Sequence, residues 1–409
     1  MPSPGYGTVL TTSGRIAGPE QDDRGVVAAF ALSRAVVLLA GIAGADLVAR
    51  VAGWRAVDPG RLSESFGRIG NPLSATAVRW DAVGYLNIAQ HGYTQARETI
   101  LFPLYPLLIA ILGRVIFSYV IAGVLISAVS FVVGLVLLAR LTELELGRQA
   151  TYPTVILLMV APVSFFFTAV YTESLCLALS VGSIYAARHE RLRTAALLAA
   201  LASLTRVTGI LLIVPIVMMS RQREGRLDRR LGWLLLAPGA LLGFLAYMSS
   251  AGYGWLAPLT NQHAHRFGLA GPVSTVLAAL ESAARGLVST VSGAKPFAPS
   301  LEGPLSPQFD SVLLLVVLVV AVCALVEALR RLPLAYSVYG ALALLVCIFS
   351  QTKIQPLEGL DRYTLTIFPL WMAAGAWISE HRLLRAVVPI CLVALAFYAF
   401  EFATWAFIA

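Results

Sequence analysis

Charge is what this sequence has least of. Asp, Glu, Lys and Arg make up 13% of its 409 residues, about half of the roughly 25% usual in a soluble protein. The absences continue with cysteine: Cys176, Cys323, Cys347 and Cys391 all lie inside apolar runs with no metal-ligand spacing, so they read as small hydrophobes. No apolar core with a small-residue cleavage site opens the chain. Residues 1–25 are polar instead and read as a flexible cytoplasmic tail. What is present is apolar bulk, 58% of residues with a mean hydropathy of +0.79, in recurring runs of about 20 residues, the length of a membrane span. Soluble enzyme, nucleic-acid binder, disulfide scaffold and disordered chain are excluded together. The chain reads as a multi-pass, all-α integral membrane protein, with 26–409 as a single transmembrane domain.

The net charge of +8 is then a matter of topology and lipid contact. Candidate spans are 26–49, 101–117, 119–140, 151–170, 174–188, 194–220, 231–249, 311–331, 332–350, 364–379 and 386–406, eleven in all. The arginines at 221, 223, 226, 229 and 230 belong in the cytoplasm, which sets the 50–100, 250–310 and 351–363 segments outside. Arg188, Arg191 and Arg193 then fall on the wrong side. A re-entrant hairpin over 194–220, turning at 205–209, would repair this if one earlier span were only a partial helix. Its backbone at that depth would have to line a protein cavity. Crossing and hairpin both stay open.

Residues 79–93 read RWDAVGYLNIAQHGY, a pattern suited to a short amphipathic helix lying in the interface. Asp81 sits there among Arg79, Trp80 and Tyr85. A carboxylate at the water–membrane boundary can serve as a general base for a sugar hydroxyl. It can equally N-cap the helix, and one sequence does not separate the two. FPLYP follows at 102–106, its two prolines marking a helix start.

These segments resemble the signature of the PIG-V-type mannosyltransferases, the second mannosyltransferase of GPI-anchor synthesis and its bacterial relatives. YTESL at 171–175, LASLTRVTG at 201–209 and DRYTLTIFPL at 361–370 are similar to later family segments and stand in the family order. The 262–268 stretch QHAHRFG matches only loosely, and Asp361 stands where the family often has a small or apolar residue. The resemblance implies a GT-C glycosyltransferase fold with its active site at the outer face of a bacterial plasma membrane. It implies an inverting enzyme that moves mannose from a polyprenyl-phosphate donor to a glycolipid acceptor, with Asp81 as the base. No cofactor is expected. Membrane lipids are partners, as is a small membrane subunit in partner-dependent members; nucleic acid is not. A transporter or flippase of a lipid-linked sugar is the competing class. It usually shows paired broken helices in repeated halves, and the sequence has no internal symmetry.

The remaining candidates are charged or aromatic residues at span edges. Glu173 and Arg206 interrupt apolar runs, where charge costs at least about 2.5–3.5 kcal/mol. Glu173 reads either as a pocket residue or as a span-end residue in headgroup water, and Arg206 either as a partner of the lipid phosphate or of Glu173 or as part of a structural ion pair inside the bundle. Arg362, Tyr363 and Lys353 read as donor-phosphate contacts, though Arg and Tyr also anchor membrane interfaces. His91, Tyr93, Phe102, Tyr105, Tyr171 and His265 complete the expected substrate-binding set, with Arg79, Trp80 and Tyr85. His263 and His265, two apart and lacking a third ligand, are not expected to hold zinc. Segment 273–292 is amphipathic and could lie on the outer leaflet as part of an acceptor groove.

Overall fold

The structure, a computed structural model, describes residues 19–224, 229–261, 267–269, 271–352 and 355–408. His265 and Lys353, together with most of the 262–268 stretch and the tail up to residue 18, lie outside the described residues. The remainder of the expected tail is helical, because the first helix runs Pro19–Leu47. Among the described residues the fold is a bundle of helices with two short antiparallel ladders, Phe267–Leu269 with Ser350–Thr352 and Phe297–Ser300 with Gly303–Leu305. Among the described residues five helical stretches are long and apolar enough to cross a membrane: Gly25–Leu47, Tyr119–Leu146, Arg229–Ser250, Pro307–Arg331 and Leu384–Ala403.

Helix starts follow local chemistry. Ser118 Oγ accepts from Ile121 N and opens the 119–146 helix, which stops at Gly147. Ser306 Oγ accepts from Phe309 N, with Pro307 next in the first helical position, where a missing N–H costs nothing. The outward faces of the long helices carry exposed leucine and valine, such as Leu39, Val129, Val133, Val319 and Val393. The core lies between the helices and is richest in 155–187, including Phe165, Phe166 and Phe167.

Polar contacts sort the helix ends into two layers. At one end Arg188 pairs with Glu145, Arg223 with Glu190 at 3.0 Å, and Arg331 with Glu380 at 2.6 Å. Tyr336 Oη also donates to Glu145, at 2.8 Å. At the other end Leu104 N donates to Leu204 O at 3.0 Å and Val170 N to Ala77 O at 2.9 Å. Segment 194–220 therefore folds as a hairpin. Helix Leu192–Ser203 runs inward, a 3-10 turn spans Val207–Leu212, and helix Ile213–Glu224 returns. The Arg223–Glu190 pair brings the two feet together. Gly209 makes the tip, where a Cβ would stand 2.2 Å from the Ala202 carbonyl carbon.

The expected span 101–117 is a helix of 13 residues, shorter than the long apolar helices. Leu104–Ile116 folds back antiparallel on the 119–146 helix, with Tyr105 Oη donating to Gly123 O at 3.0 Å and Gly113 against Tyr119. Composition cannot tell such an arm from a crossing, since both are apolar. Helix Pro272–Val291 is amphipathic as expected: one face packs along Pro307–Arg331, tied by Ser282 Oγ and Ser311 Oγ at 2.9 Å, and the other leaves Leu277, Leu280 and Val288 exposed. Arg34, in the first helix, donates to Met159 O and Ser164 O, both at 3.0 Å, and to Thr168 Oγ1 at 3.2 Å. These bonds fix the turn that leads into Glu173.

Candidate functional site

Asp81 is the first residue of helix Asp81–His91, and Trp80 occupies the cap position. The capping role is thus not the one Asp81 fills. The helix is also no free surface element, since Ala82, Val83, Tyr85, Leu86, Ile88 and Ala89 are all buried. Its apolar positions surround more than one face, so it packs inside protein. Trp80 has φ 56 and ψ −120, a region that a side chain strongly disfavours. Contacts hold it there: its ring meets Phe407 at 4.8 Å and Trp405 at 6.3 Å between centroids. Arg79 lies behind, buried, donating to Ala403 O at 3.2 Å and sitting 4.8 Å over the Trp405 ring.

From Asp81 a chain of charges runs into the protein. Arg362 Nη1 donates to Asp81 Oδ2 at 2.8 Å, and Arg362 Nε to Glu173 Oε1 at 2.5 Å. Arg206 Nη1 reaches the same Glu173 oxygen at 2.6 Å. Two carboxylates thus face two guanidiniums, and the set is neutral as a whole. Exposure grades along it: the Glu173 side chain is wholly buried, Arg362 is 9% exposed and Asp81 is 37% exposed. Burial works to lower the Arg362 guanidinium, but the Glu173 and Asp81 carboxylates outweigh it and hold it well above its ordinary value. Tyr171, Phe166 and Tyr363 ring the Arg362 guanidinium at 4.5, 5.1 and 5.9 Å. Tyr363 also faces Arg206 at 4.7 Å.

Arg362 reaches this position from helix Leu360–Thr364, which starts after Gly359 at φ 81, a conformation natural to glycine. Glu173 opens helix Glu173–Arg188, and Arg206 sits at the hairpin tip between helix and 3-10 turn. The exposed end of the chain opens into a cavity of about 850 Å³, whose wall includes Trp80, Asp81, His91, Arg362, Tyr363 and Phe407.

The expected set divides at that wall. Asp81, Trp80, His91, Arg362 and Tyr363 line the cavity. Glu173 and Tyr171 stand behind it and hold Arg362, and Arg206 stands behind it paired with Glu173. Arg79, Tyr85, Tyr93, Phe102 and Tyr105 are not in the wall. Tyr85 packs edge-on against Tyr105 at 5.3 Å, Phe102 lies against Phe244 at 5.4 Å, and Tyr93 Oη donates to Leu101 O at 2.7 Å. These side chains shape the support because their hydroxyls and rings already have protein partners.

The wall also holds residues that the sequence reading passed over. Phe407 comes from the last residues of the chain, and Gln355 and Glu358 from the segment before Arg362. Glu98, buried, accepts from Thr94 N at 2.8 Å and Gln95 N at 3.0 Å and so closes the loop that follows His91. Gln95 and Glu98 form a capping box, and that three-residue spacing is a readable sign. Among the described residues no three His, Cys, Asp or Glu side chains gather as a metal site would need.

Set beside known proteins, residues 25–224 match the family model described as mannosyltransferase (PIG-V). No curated protein matches the chain. The matched stretch contains Asp81, Glu173 and Arg206, and the fold adds Arg362 from beyond it.

Proposed function

Over residues 25–224 the chain belongs to the PIG-V mannosyltransferase family, and from that premise we propose that it moves mannose from a polyprenyl-phosphate donor to a glycolipid acceptor. The observation that carries this reading is the Asp81–Arg362–Glu173–Arg206 chain, which ends in a carboxylate at a cavity wall. Asp81 Oδ2 is held by Arg362, so the carboxylate is fixed in orientation at the wall, as a base must be.

In the proposed reaction the acceptor hydroxyl attacks the anomeric carbon from the face opposite the lipid phosphate. The new C–O bond forms as the bond from carbon to phosphate oxygen breaks, with inversion to an α-mannoside. The bonding electron pair leaves with the phosphate, and the hydroxyl proton passes to Asp81. Arg362 has five N–H donors and directs one to each carboxylate, which leaves donors for a phosphate oxygen at the wall. Fixed donors where charge develops are a large source of rate. Trp80 and Phe407 offer an apolar face to a sugar ring. The Arg362 donors left at the wall would stabilise the charge that develops on the departing lipid phosphate.

The architecture proposed is of the GT-C type in a bacterial plasma membrane, with the cavity at the outer face. Of the eleven expected passes, the arm at 104–116 and the hairpin at 194–220 enter only part-way. The support is the single layer of helix ends that gathers Arg188, Arg223, Arg230, Arg331 and Arg385, as positive-inside topology requires. The test is transfer of labelled mannose by the purified protein, offered polyprenyl-phosphate-mannose or a nucleotide-linked mannose with a lipid extract as acceptor. Label in lipid from the first donor alone supports the reading. No label from either donor, with label carried across sealed vesicles instead, overturns it in favour of a transporter.

A further inference from the structure

A second cavity, of about 340 Å³, opens in the opposite layer of helix ends and is lined by Arg188, Arg223, Arg230, Ser220, Leu192 and Tyr336 among others. It shares no residue with the wall around Asp81. Three guanidiniums border a space too small for a lipid-linked sugar but ample for a phosphate group.

Three independent features point to an anion. Ser220 is 8% exposed, and its hydroxyl is buried with no hydrogen-bond partner among the described residues; a buried orphan of this kind calls for a ligand or a bound water. Two helices begin at the cavity. Leu192 starts one of them after Arg191, which provides no side-chain cap, and Pro333 stands in the wall just before the helix Leu334–Phe349. The positive dipole ends of these helix starts favour phosphate. Helices Glu173–Arg188 and Ile213–Glu224 end nearby with the opposite polarity, which Arg188 and Arg223 offset. Finally, the Arg223–Glu190 pair has side chains 44% and 70% exposed. Such a surface pair is weak and yields readily to a phosphate that the guanidinium fork fits better.

We propose that this cavity binds a phosphate group, supplied either by the headgroup of an anionic phospholipid or by a free phosphate anion. The site stands on its own geometry and does not depend on the transfer chemistry.

Thermal unfolding of the full-length protein in nonionic micelles tests it. The probes are micelles doped with phosphatidylglycerol, micelles doped with phosphatidylcholine, and inorganic phosphate against chloride at equal ionic strength. The wild type should gain Tm with phosphatidylglycerol or with phosphate. Arg223→Gln and Arg230→Gln should each need about tenfold more of the probe, the scale of a lost hydrogen bond to a charged group. Ser220→Ala keeps every charge and should weaken the response severalfold, while Arg385→Gln, exposed at the same end, should not. A response to phosphatidylglycerol alone identifies the lipid headgroup; a response to phosphate identifies the free anion. No gain with either, an equal gain with phosphatidylcholine, or equal responses from all variants overturns the proposal.

Discussion

Arg362 Nη1 lies 2.8 Å from Asp81 Oδ2, joining residues 281 positions apart in the chain. The same guanidinium holds Glu173 at 2.5 Å, so one side chain ties the first loop, the middle of the bundle and the C-terminal third together. An ion pair buried on one side and open on the other is costly to build unless its geometry is complete. Here it is completed by Arg206 and three aromatic rings.

Glu173→Gln should therefore be severely destabilising. It leaves Arg362 and Arg206 facing each other across a buried amide. Breaking a buried pair costs about 3–5 kcal/mol, and thermal unfolding in micelles should show a large fall in Tm. A double variant, Glu173→Gln with Arg206→Gln, should recover part of that loss, because it removes the uncompensated charge.

Trp80 gives a test of backbone strain. At φ 56, ψ −120 a glycine is at ease and an alanine is not. Trp80→Gly should be more stable than Trp80→Ala by about 1–3 kcal/mol, although alanine elsewhere outranks glycine. Equal stabilities would mean that the backbone relaxes and that Asp81 is not held by this turn.

Much of the site is legible in the sequence, for a physical reason. Asp81, Glu173, Arg206 and Arg362 are charges that interrupt apolar stretches, and in a membrane protein each such interruption must be justified by a partner. The partners themselves are not readable, since pairing across 189 or 281 positions leaves no local pattern. Phe407 and Trp405 follow the last helix and look like the tail of a span. Only the fold turns them beneath Trp80. Aromatic residues such as Tyr105 and Phe102 are easily overvalued, because an aromatic beside a motif and an aromatic inside a core look alike until burial is known. The hairpin at 194–220 leaves a trace, namely arginines at both feet, whereas the arm at 104–116 leaves none.

Accessibility of single cysteines checks that topology. In a background without the four native cysteines, a cysteine at Thr94 should be labelled from outside intact cells. One at Glu190 should be labelled only after permeabilisation. If both label from outside, segment 194–220 crosses and the arginine layer is split between the two faces.

A pH series reports on the floor beneath Arg362. Burial, reinforced by the Asp310 charge, pushes the Asp361 carboxyl up from 3.8 to about 7. Between those values the unfolded chain gives up its proton while the folded protein keeps it, so this residue's contribution to stability falls as pH rises and levels off above about 7. In Asp361→Asn the side-chain amide oxygen would still accept from the Arg362 N–H, as the Asp361 carboxyl does at 2.8 Å. The variant should therefore match wild type near pH 4, gain Tm relative to it as pH rises, and keep a constant advantage beyond neutrality. A gap that is independent of pH would show that Asp361 is not held in its neutral form.

The central claim is that Asp81 accepts the proton in sugar transfer, and its most direct measurement is mannosyl transfer by Asp81→Asn against wild type at matched protein level and Tm. General-base assistance is worth about 10²–10⁴-fold. The account predicts a loss of that size in kcat, with donor KM little changed. Transfer by Asp81→Asn at the wild-type rate would contradict it.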